Sequence, residues 1–322
     1  MLALTQRTYG GLDAVEMADL PVPEPTADEV LVEVHACSLN GSDRENLAGS
    51  PFYSRVGGLR RPRRPVPGSD IAGVVSAVGH EVSEFSVGDE VFGELAGYRG
   101  GLAEYVATKP RLLARKPAGL TYVEAASIPQ AGCIAWRAVE GRVHPGDRVL
   151  VNGAGGAGGP LVVGLAKARG GEVTAVDRAD KADFMHRIGA NITVDFEAED
   201  WADHADHRER YDLIVDLVAH RSPFRVHRAL RPGGTYRMVG GSTRILLAAL
   251  PARPLVKART GKDVGVLVVP QSRADLEAIT ALVTSNIVTP VVDSTFPLSE
   301  AVAAYARLAR GDNQGKIVVT MR

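Results

Sequence analysis

The chain of 322 residues has only two cysteines, Cys37 and Cys133. So few exclude a disulfide framework and a four-cysteine zinc lobe. Aromatic residues make up 5% of the chain, so no stacking cage for a large ring is evident. No apolar run approaches the roughly 20 residues that a membrane span needs. The stretch Met1 to Gln6 lacks a basic segment followed by an apolar core, so no signal peptide is expected. An excess of one charge is missing too, because 37 Lys and Arg face 38 Asp and Glu. The resulting formal net charge of −1 argues against nucleic acid as the main partner. A cytoplasmic protein of two domains with ample core, acting on a small molecule, is the expectation. The basic run Arg60-Arg61-Pro62-Arg63-Arg64-Pro65 is a local exception. Its prolines predict an extended, solvated loop.

Glycine, by contrast, is plentiful at 35 residues, and its placement is informative. The apolar run Arg148 to Asn152 leads into Gly153-Ala154-Gly155-Gly156-Ala157-Gly158, and an alanine- and leucine-rich stretch follows. Gly153, Gly155 and Gly158 fit G-x-G-x-x-G, and Asp177 closes the next apolar run, Val173 to Val176. A glycine turn lets backbone approach a pyrophosphate, which the N-terminus of the following helix attracts. An acid at the end of the second strand can accept from the adenosine ribose hydroxyls. Strand, turn, helix and acid together point to a dinucleotide. Gly153, Gly155, Gly156, Ala157, Gly158 and Asp177 are therefore candidate cofactor residues.

The first third reads as β-rich. Val30, Val32, Val34 and Ala36 alternate with Leu31, Glu33 and His35, as in a half-buried strand. Closely spaced glycines in Pro67 to Gly79, Val87 to Gly93 and Gly100 to Val106 suit a small, strongly curved sheet or partial barrel. The pattern changes near Thr121. Strands centred on Leu150, Thr174, Thr193, Ile214, Arg237 and Leu267 alternate with helical stretches 161–169, 181–188, 222–230 and 274–284. Such alternation implies a doubly wound parallel sheet with helices on both faces. Ser299 to Arg310 reads as an amphipathic helix capped by Ser299, and Gly315 to Thr320 as a final strand returning to the first domain. His204-Ala205-Asp206-His207 lies in the polar stretch Asp200 to Arg210 and reads as a solvated loop.

Val74 to Gly79, Gly88-Asp89-Glu90-Val91, Gly101 to Val106, Pro145 to Leu150 and the glycine turn, taken together, resemble the medium-chain dehydrogenase/reductase superfamily. Within it, Gly49 to Tyr53 and Gly57 to Pro62 resemble the quinone oxidoreductase and enoyl reductase branch. The resemblance implies a Rossmann dinucleotide-binding domain over 121–289. It also implies a β-rich, GroES-like catalytic domain over 1–120 with 290–322. In zinc-dependent members the metal ligands fall at the positions of Asn40, Ser69, Asp70 and Gln130 here, which lack the usual thiolates and imidazole. No zinc is therefore expected, and the two cysteines read as small buried residues.

The implied function is a zinc-independent, NAD(P)H-dependent transfer of hydride to a quinone or to the β-carbon of an α,β-unsaturated carbonyl. A metal-free carbonyl or alcohol dehydrogenase is one alternative. A nucleotide-binding redox sensor or scaffold without catalysis is another. Asn40 is the first candidate catalytic residue, its amide placed to hydrogen-bond the substrate oxygen. Asp43 and Tyr53 are candidates to orient the site and to donate a proton. The resemblance also brings Val218, Val239, Gly240 and Lys316 to the cofactor. Asp177 favours NADH over NADPH, because it would repel a 2′-phosphate. Arg178 and Lys181 could instead pair with that phosphate, so both cofactors stay open. The strand Val264 to Val269 could pair across a homodimer.

Overall fold

A computed structural model describes residues 1–55 and 57–321. The chain forms two compact units. One comprises Met1–Cys133, Gln271–Ser285 and Pro290–Arg322; the other comprises Ile134–Pro270 and Asn286–Thr289. The expected break at 120/121 thus falls at 133/134 in this partition.

The first unit opens with an antiparallel pair, β1 (Leu2–Gln6) and β2 (Val15–Asp19). The long strand β3 (Val30–Leu39) and the helix α1 (Gly41–Ala48) follow. The strands β4 (Asp70–Val78), β5 (Glu90–Glu94), β6 (Tyr105–Thr108) and β7 (Leu113–Arg115) come next. The helix α2 (Tyr122–Ala126) completes this stretch, and α3 (Pro129–Val139) runs across the boundary into the second unit. Burial along β3 alternates only from Val32 to His35, since Leu31 is buried as well as Val30 and Val32. From Ala36 to Leu39 every residue is buried, because this half of the strand is covered on both faces. The core gathers Leu4, Val32, Leu39, Ile71, Leu102, Leu113 and Ile317, each essentially inaccessible. Burial of such a side chain stabilises by about 1.5–3 kcal/mol.

The second unit carries β8 (Arg148–Asn152), α4 (Gly159–Ala168), β9 (Glu172–Asp177), α5 (Ala182–Arg187) and β10 (Ile192–Asp195). It continues with β11 (Tyr211–Asp216), α6 (Pro223–Val226), β12 (Leu230–Met238), α7 (Thr243–Thr260) and β13 (Asp263–Val266). Among the described residues the sheet has six strands in the order β10-β9-β8-β11-β12-β13, and every pairing is parallel. Numbered within the unit, that order is 3-2-1-4-5-6, the doubly wound dinucleotide-binding arrangement. The order reverses beside β8, so the carboxyl ends of β8 and β11 form the switch point at which such sheets bind ligands.

The chain then returns to the first unit. It forms α8 (Arg273–Thr284), β14 (Val292–Pro297), α9 (Ala301–Arg310) and β15 (Lys316–Thr320). Among the described residues the unit's larger sheet has seven strands. Six run β14-β15-β3-β4-β5-β7, and β6 pairs with β3. Ser299 lies in a 3-10 turn rather than capping α9, whose N-cap is Glu300 without a side-chain hydrogen bond. Both cysteines are buried and neither forms a disulfide. No helix among the described residues is long and apolar enough to cross a membrane.

Candidate active site

In the second unit the glycine turn joins β8 to α4. Gly153 has φ +83, and a Cβ on Gly159 would sit 1.9 Å from the Ala154 carbonyl oxygen, so the fold itself requires both glycines. Gly156 and Gly158 differ. A Cβ there would meet no protein atom closer than 3.4 Å and 3.6 Å respectively. Packing within the chain does not explain those two glycines, whereas a pyrophosphate lying against the turn would. Gly158 is the N-cap of α4 and offers no side-chain cap, and Pro160 stands in the first turn. The leading N–H groups of α4 are therefore left for an anion. Ala157 lies half-buried between the two glycines.

Asp177 ends β9 beside this turn. Its Oδ2 accepts from the Gly155 N–H at 2.9 Å, and its Oδ1 accepts from the Arg178 N–H at 2.9 Å. Lys181, almost wholly buried, holds its Nζ 3.6 Å from Asp177 Oδ1 and 3.4 Å from the Gly155 carbonyl oxygen. The Arg178 guanidinium grips Asp180 through Nε at 3.1 Å and Nη2 at 2.8 Å. Both cations that sequence offered to a phosphate are engaged with carboxylates.

At the switch point stands a residue that sequence reading missed. Asp216, at the end of β11, is fully buried. Its carboxylate accepts from Asn152 Nδ2 at 2.7 Å, the Tyr236 hydroxyl at 2.9 Å, and the N–H groups of Val218 and Ala219 at 3.1 and 2.7 Å. Its backbone carbonyl accepts from the Val239 N–H at 2.9 Å. One buried acid thus ties together the carboxyl ends of β8, β11 and β12. Val218, Val239 and Gly240 (φ +67) stand at those strand ends, and Val218 is 51% exposed. In the sequence Asp216 is one acid in a polar-flanked apolar run, and no spacing marks it.

The first unit holds a buried polar cluster. Asn40 lies between β3 and α1 as the N-cap of α1, and its N–H donates to the Asp43 carboxylate at 2.7 Å. Register places Lys316 next to it, because β15 pairs antiparallel with β3, Ile317 opposite Leu39. Lys316 Nζ donates to Asn40 Oδ1 at 2.5 Å and lies 3.3 Å from Asp70 Oδ2. Asn40 Nδ2 donates to Ser69 Oγ at 3.3 Å. The Gln130 N–H donates to Asp70 Oδ2 at 3.0 Å, and Gln130 Nε2 donates to Glu94 Oε1 at 2.6 Å. Ser42 Oγ donates to Gln130 Oε1 at 3.0 Å.

The four positions aligned with zinc ligands, Asn40, Ser69, Asp70 and Gln130, therefore do converge, but around an ammonium group. The donor set has no thiolate and no imidazole. Asn40 Oδ1 and Asp70 Oδ2 are already committed to Lys316. A divalent zinc ion does not fit these residues, because its charge would be set against a buried cation. Lys316, expected at the cofactor, is essentially inaccessible and belongs to this cluster.

Three carboxyl groups share the cluster with one ammonium. Burial, with Asp70 beside it, raises the Glu94 carboxyl to about 8. Burial raises Asp43 to about 7 against the opposing Asn40 N–H bond. Tyr53 sits apart on a 3-10 turn (Phe52–Arg55), and its hydroxyl donates to Glu45 Oε2 at 3.0 Å. Burial and then the Glu45 charge push its pKa upward, which makes it a weaker acid than an ordinary tyrosine. The geometry brings Asn40 and Asp43 together with Lys316 and joins Tyr53 to Glu45. Sequence reading named neither Glu94 nor Ser42, since their roles depend on strand register and on the Gln130 side chain.

Residues 26–118 match the alcohol dehydrogenase GroES-like domain, and residues 188–319 match the zinc-binding dehydrogenase family. The NADPH-dependent alkenal/one oxidoreductase of Arabidopsis thaliana chloroplasts is 32% identical, over 99% of this chain and 79% of that protein. The chain belongs to the medium-chain dehydrogenase/reductase superfamily. It is an oxidoreductase of that superfamily, with a parallel Rossmann sheet and a GroES-like domain. The chloroplast envelope quinone oxidoreductase homologue of the same plant is also 32% identical, over 99% of this chain and 98% of its own length. The quinone oxidoreductase of Coxiella burnetii matches the whole chain with a TM-score of 0.90 at 27% identity, and 99% of that structure is covered. This superfamily member takes a nicotinamide cofactor.

Proposed function

We propose that the protein is a zinc-independent reductase that prefers NADH and reduces a quinone or the carbon–carbon double bond of an α,β-unsaturated carbonyl. The observation that carries this reading is the Lys316 ammonium held by Asn40 and Asp70, where zinc-dependent relatives would place a metal. Conjugated acceptors need less polarisation than a simple carbonyl, and they are what the similar plant and bacterial oxidoreductases are named for.

The nicotinamide supplies a hydride when bound. Gly156, Gly158 and the N-terminus of α4 would receive the pyrophosphate, and Val218, Val239 and Gly240 would border the rest of the cofactor. As the hydride arrives at the β-carbon, negative charge grows on the substrate oxygen. Asn40 Nδ2 donates to that oxygen, and Lys316 on the other end of the same amide strengthens the donor by polarising it. Asp43 holds the Asn40 backbone and so fixes where the amide points. Glu94, neutral below about 8, keeps a further negative charge out of the cluster. Water supplies the proton that completes the product. Tyr53, the earlier candidate, keeps its hydroxyl on Glu45.

The preference for NADH rests on Asp177. Its neighbouring cations are committed to carboxylates, so a 2′-phosphate would meet an acid without a ready partner. The test is oxidation of NADH and NADPH with an ortho-quinone and with a short-chain enone, in excess chelator. Turnover that persists in chelator and is faster with NADH supports the reading. Loss of turnover on chelation, restored by zinc, would overturn it.

A further inference from the structure

The stretch between β10 and β11 is largely exposed, as its polarity suggests, but it is anchored at a few points. Trp201, Ala202 and His207 are buried within it, and the Arg221 guanidinium lies 5.1 Å from the Trp201 ring centroid. Two of its three aspartates, Asp200 and Asp203, are occupied by arginines. Asp200 pairs with Arg221 at 2.7 Å, and Asp203 pairs with Arg225 and, at 3.1 Å, with Arg228. Glu199 faces imidazoles instead. Its Oε1 lies 3.4 Å from His204 Nδ1 and makes a short contact with His207 Nε2. One donor atom from each of the three residues lies within 4.8 Å of the others. For bonds of about 2.0–2.2 Å, tetrahedral zinc needs ligand–ligand separations of about 3.3–3.6 Å, so Glu199 Oε1 and His207 Nε2, hydrogen-bonded to each other without the ion, must part to admit it.

The surroundings are those of a metal ligand set. His204 is the N-cap of the 3-10 turn Ala205–His207, its Nδ1 accepting a long bond from the Asp206 N–H at 3.4 Å that a metal ion would replace, so one short turn fixes the positions of both histidines. The Tyr211 hydroxyl lies 2.5 Å from His207 Nδ1, leaving Nε2 toward Glu199. A hydrogen bond on the second ring nitrogen is how ligating histidines are oriented. Arg210, the nearby cation, bonds the Asp206 carbonyl oxygen at 3.3 Å. Asp206 Oδ2, 3.8 Å from His204 Nδ1, or a water can take a fourth position.

We infer that Glu199, His204 and His207 form a zinc site on the dinucleotide-binding unit, unrelated to the hydride chemistry. Two imidazoles and one carboxylate suit zinc and exclude magnesium and calcium, which take oxygen ligands. The bound ion clips the stretch from Glu199 to His207 onto β11 through Tyr211. It supports the fold rather than the reaction.

The test uses the full chain, stripped with chelator and then dialysed against zinc chloride. The expected result is one zinc per chain, a rise in Tm on loading, and a tetrahedral d–d spectrum when cobalt replaces zinc. His204→Ala removes an exposed ligand, and Glu199→Gln removes the anion. Each should weaken zinc binding at least about tenfold and abolish the rise in Tm. Turnover with NADH should stay as in the parent. Absence of saturable zinc binding by the parent chain overturns the proposal. So does parental affinity in both variants, which would locate the zinc elsewhere.

Discussion

At the scale of single residues, the chemistry rests on how a few buried charges are paired. Lys316 has two partners, Asn40 and Asp70, and all three are buried. Removing one member of a buried pair leaves the other charge uncompensated, at a cost of about 3–5 kcal/mol. Lys316→Met should therefore lower Tm sharply and reduce kcat by about a hundredfold. Lys316→Met with Asp70→Asn should regain much of the stability, by denaturant unfolding, and none of the rate. Regained rate would remove Lys316 from the mechanism. Asp177 offers a second test. Asp177→Ser should raise kcat/KM for NADPH relative to NADH by at least tenfold, equivalent to about 1.4 kcal/mol, read from initial rates with both cofactors. An unchanged ratio would show that Asp177 does not select the cofactor. Asn40, Asp43 and Asp177 can be singled out in the sequence because each stands at a motif position or beside a strand end. Lys316 is visible as a residue, but its place beside Asn40 is not. Only the antiparallel pairing of β15 with β3, which spans most of the chain, brings it beside Asn40.

At the scale of elements, strand and turn were easier to read than helix. The six parallel strands were expected from apolar runs with turn signals between them, and each forms near its expected centre; the last ends at Val266, one residue before Leu267. The helix α7 was not expected. It contains Pro251 and Pro254, which usually break helices, and its exposed Leu247, Leu250 and Leu255 blur any apolar stripe. Ser242 starts it all the same, its Oγ accepting from the Ile245 N–H at 3.3 Å. The glycine turn gives an element-level prediction, since its glycines serve different ends. Gly159→Ala should unfold the turn and fail to give a cooperative melt, because its Cβ would strike the Ala154 carbonyl. Gly156→Ala should melt near the parent temperature yet bind NADH at least tenfold more weakly, as titrated by nicotinamide fluorescence. Parental affinity in Gly156→Ala would mean that the cofactor does not approach that glycine.

At the scale of the whole molecule, the buried acids of the first unit set how stability follows pH. Glu94 is raised from 4.5 to about 8 and Asp43 from 3.8 to about 7. For both, the folded chain holds a proton that the unfolded chain releases at a lower pH. The stabilisation is therefore complete below about 4 and is lost as pH rises through the folded values. Each group contributes a slope of up to about 1.4 kcal/mol per pH unit within its window. The many exposed carboxylates paired with Lys or Arg act in the opposite sense, and their pKa values are lowered, as at Asp28, Asp89 and Asp312. Those pairs weaken only under acid conditions, so the two classes separate on the pH axis. Unfolding free energy should fall between about pH 5 and 8 and level off above that. Turnover with NADH should fall over the upper part of the same range, because ionised Glu94 adds negative charge where the substrate oxygen gains it. Glu94→Gln keeps the size and the neutral state of the side chain. It should flatten both profiles above pH 7 and leave the rate at pH 6 near the parent's. A rate profile that still falls in Glu94→Gln would assign the titration to Asp43 or to the substrate instead. A stability profile unchanged by the substitution would show that Glu94 is already ionised within the fold.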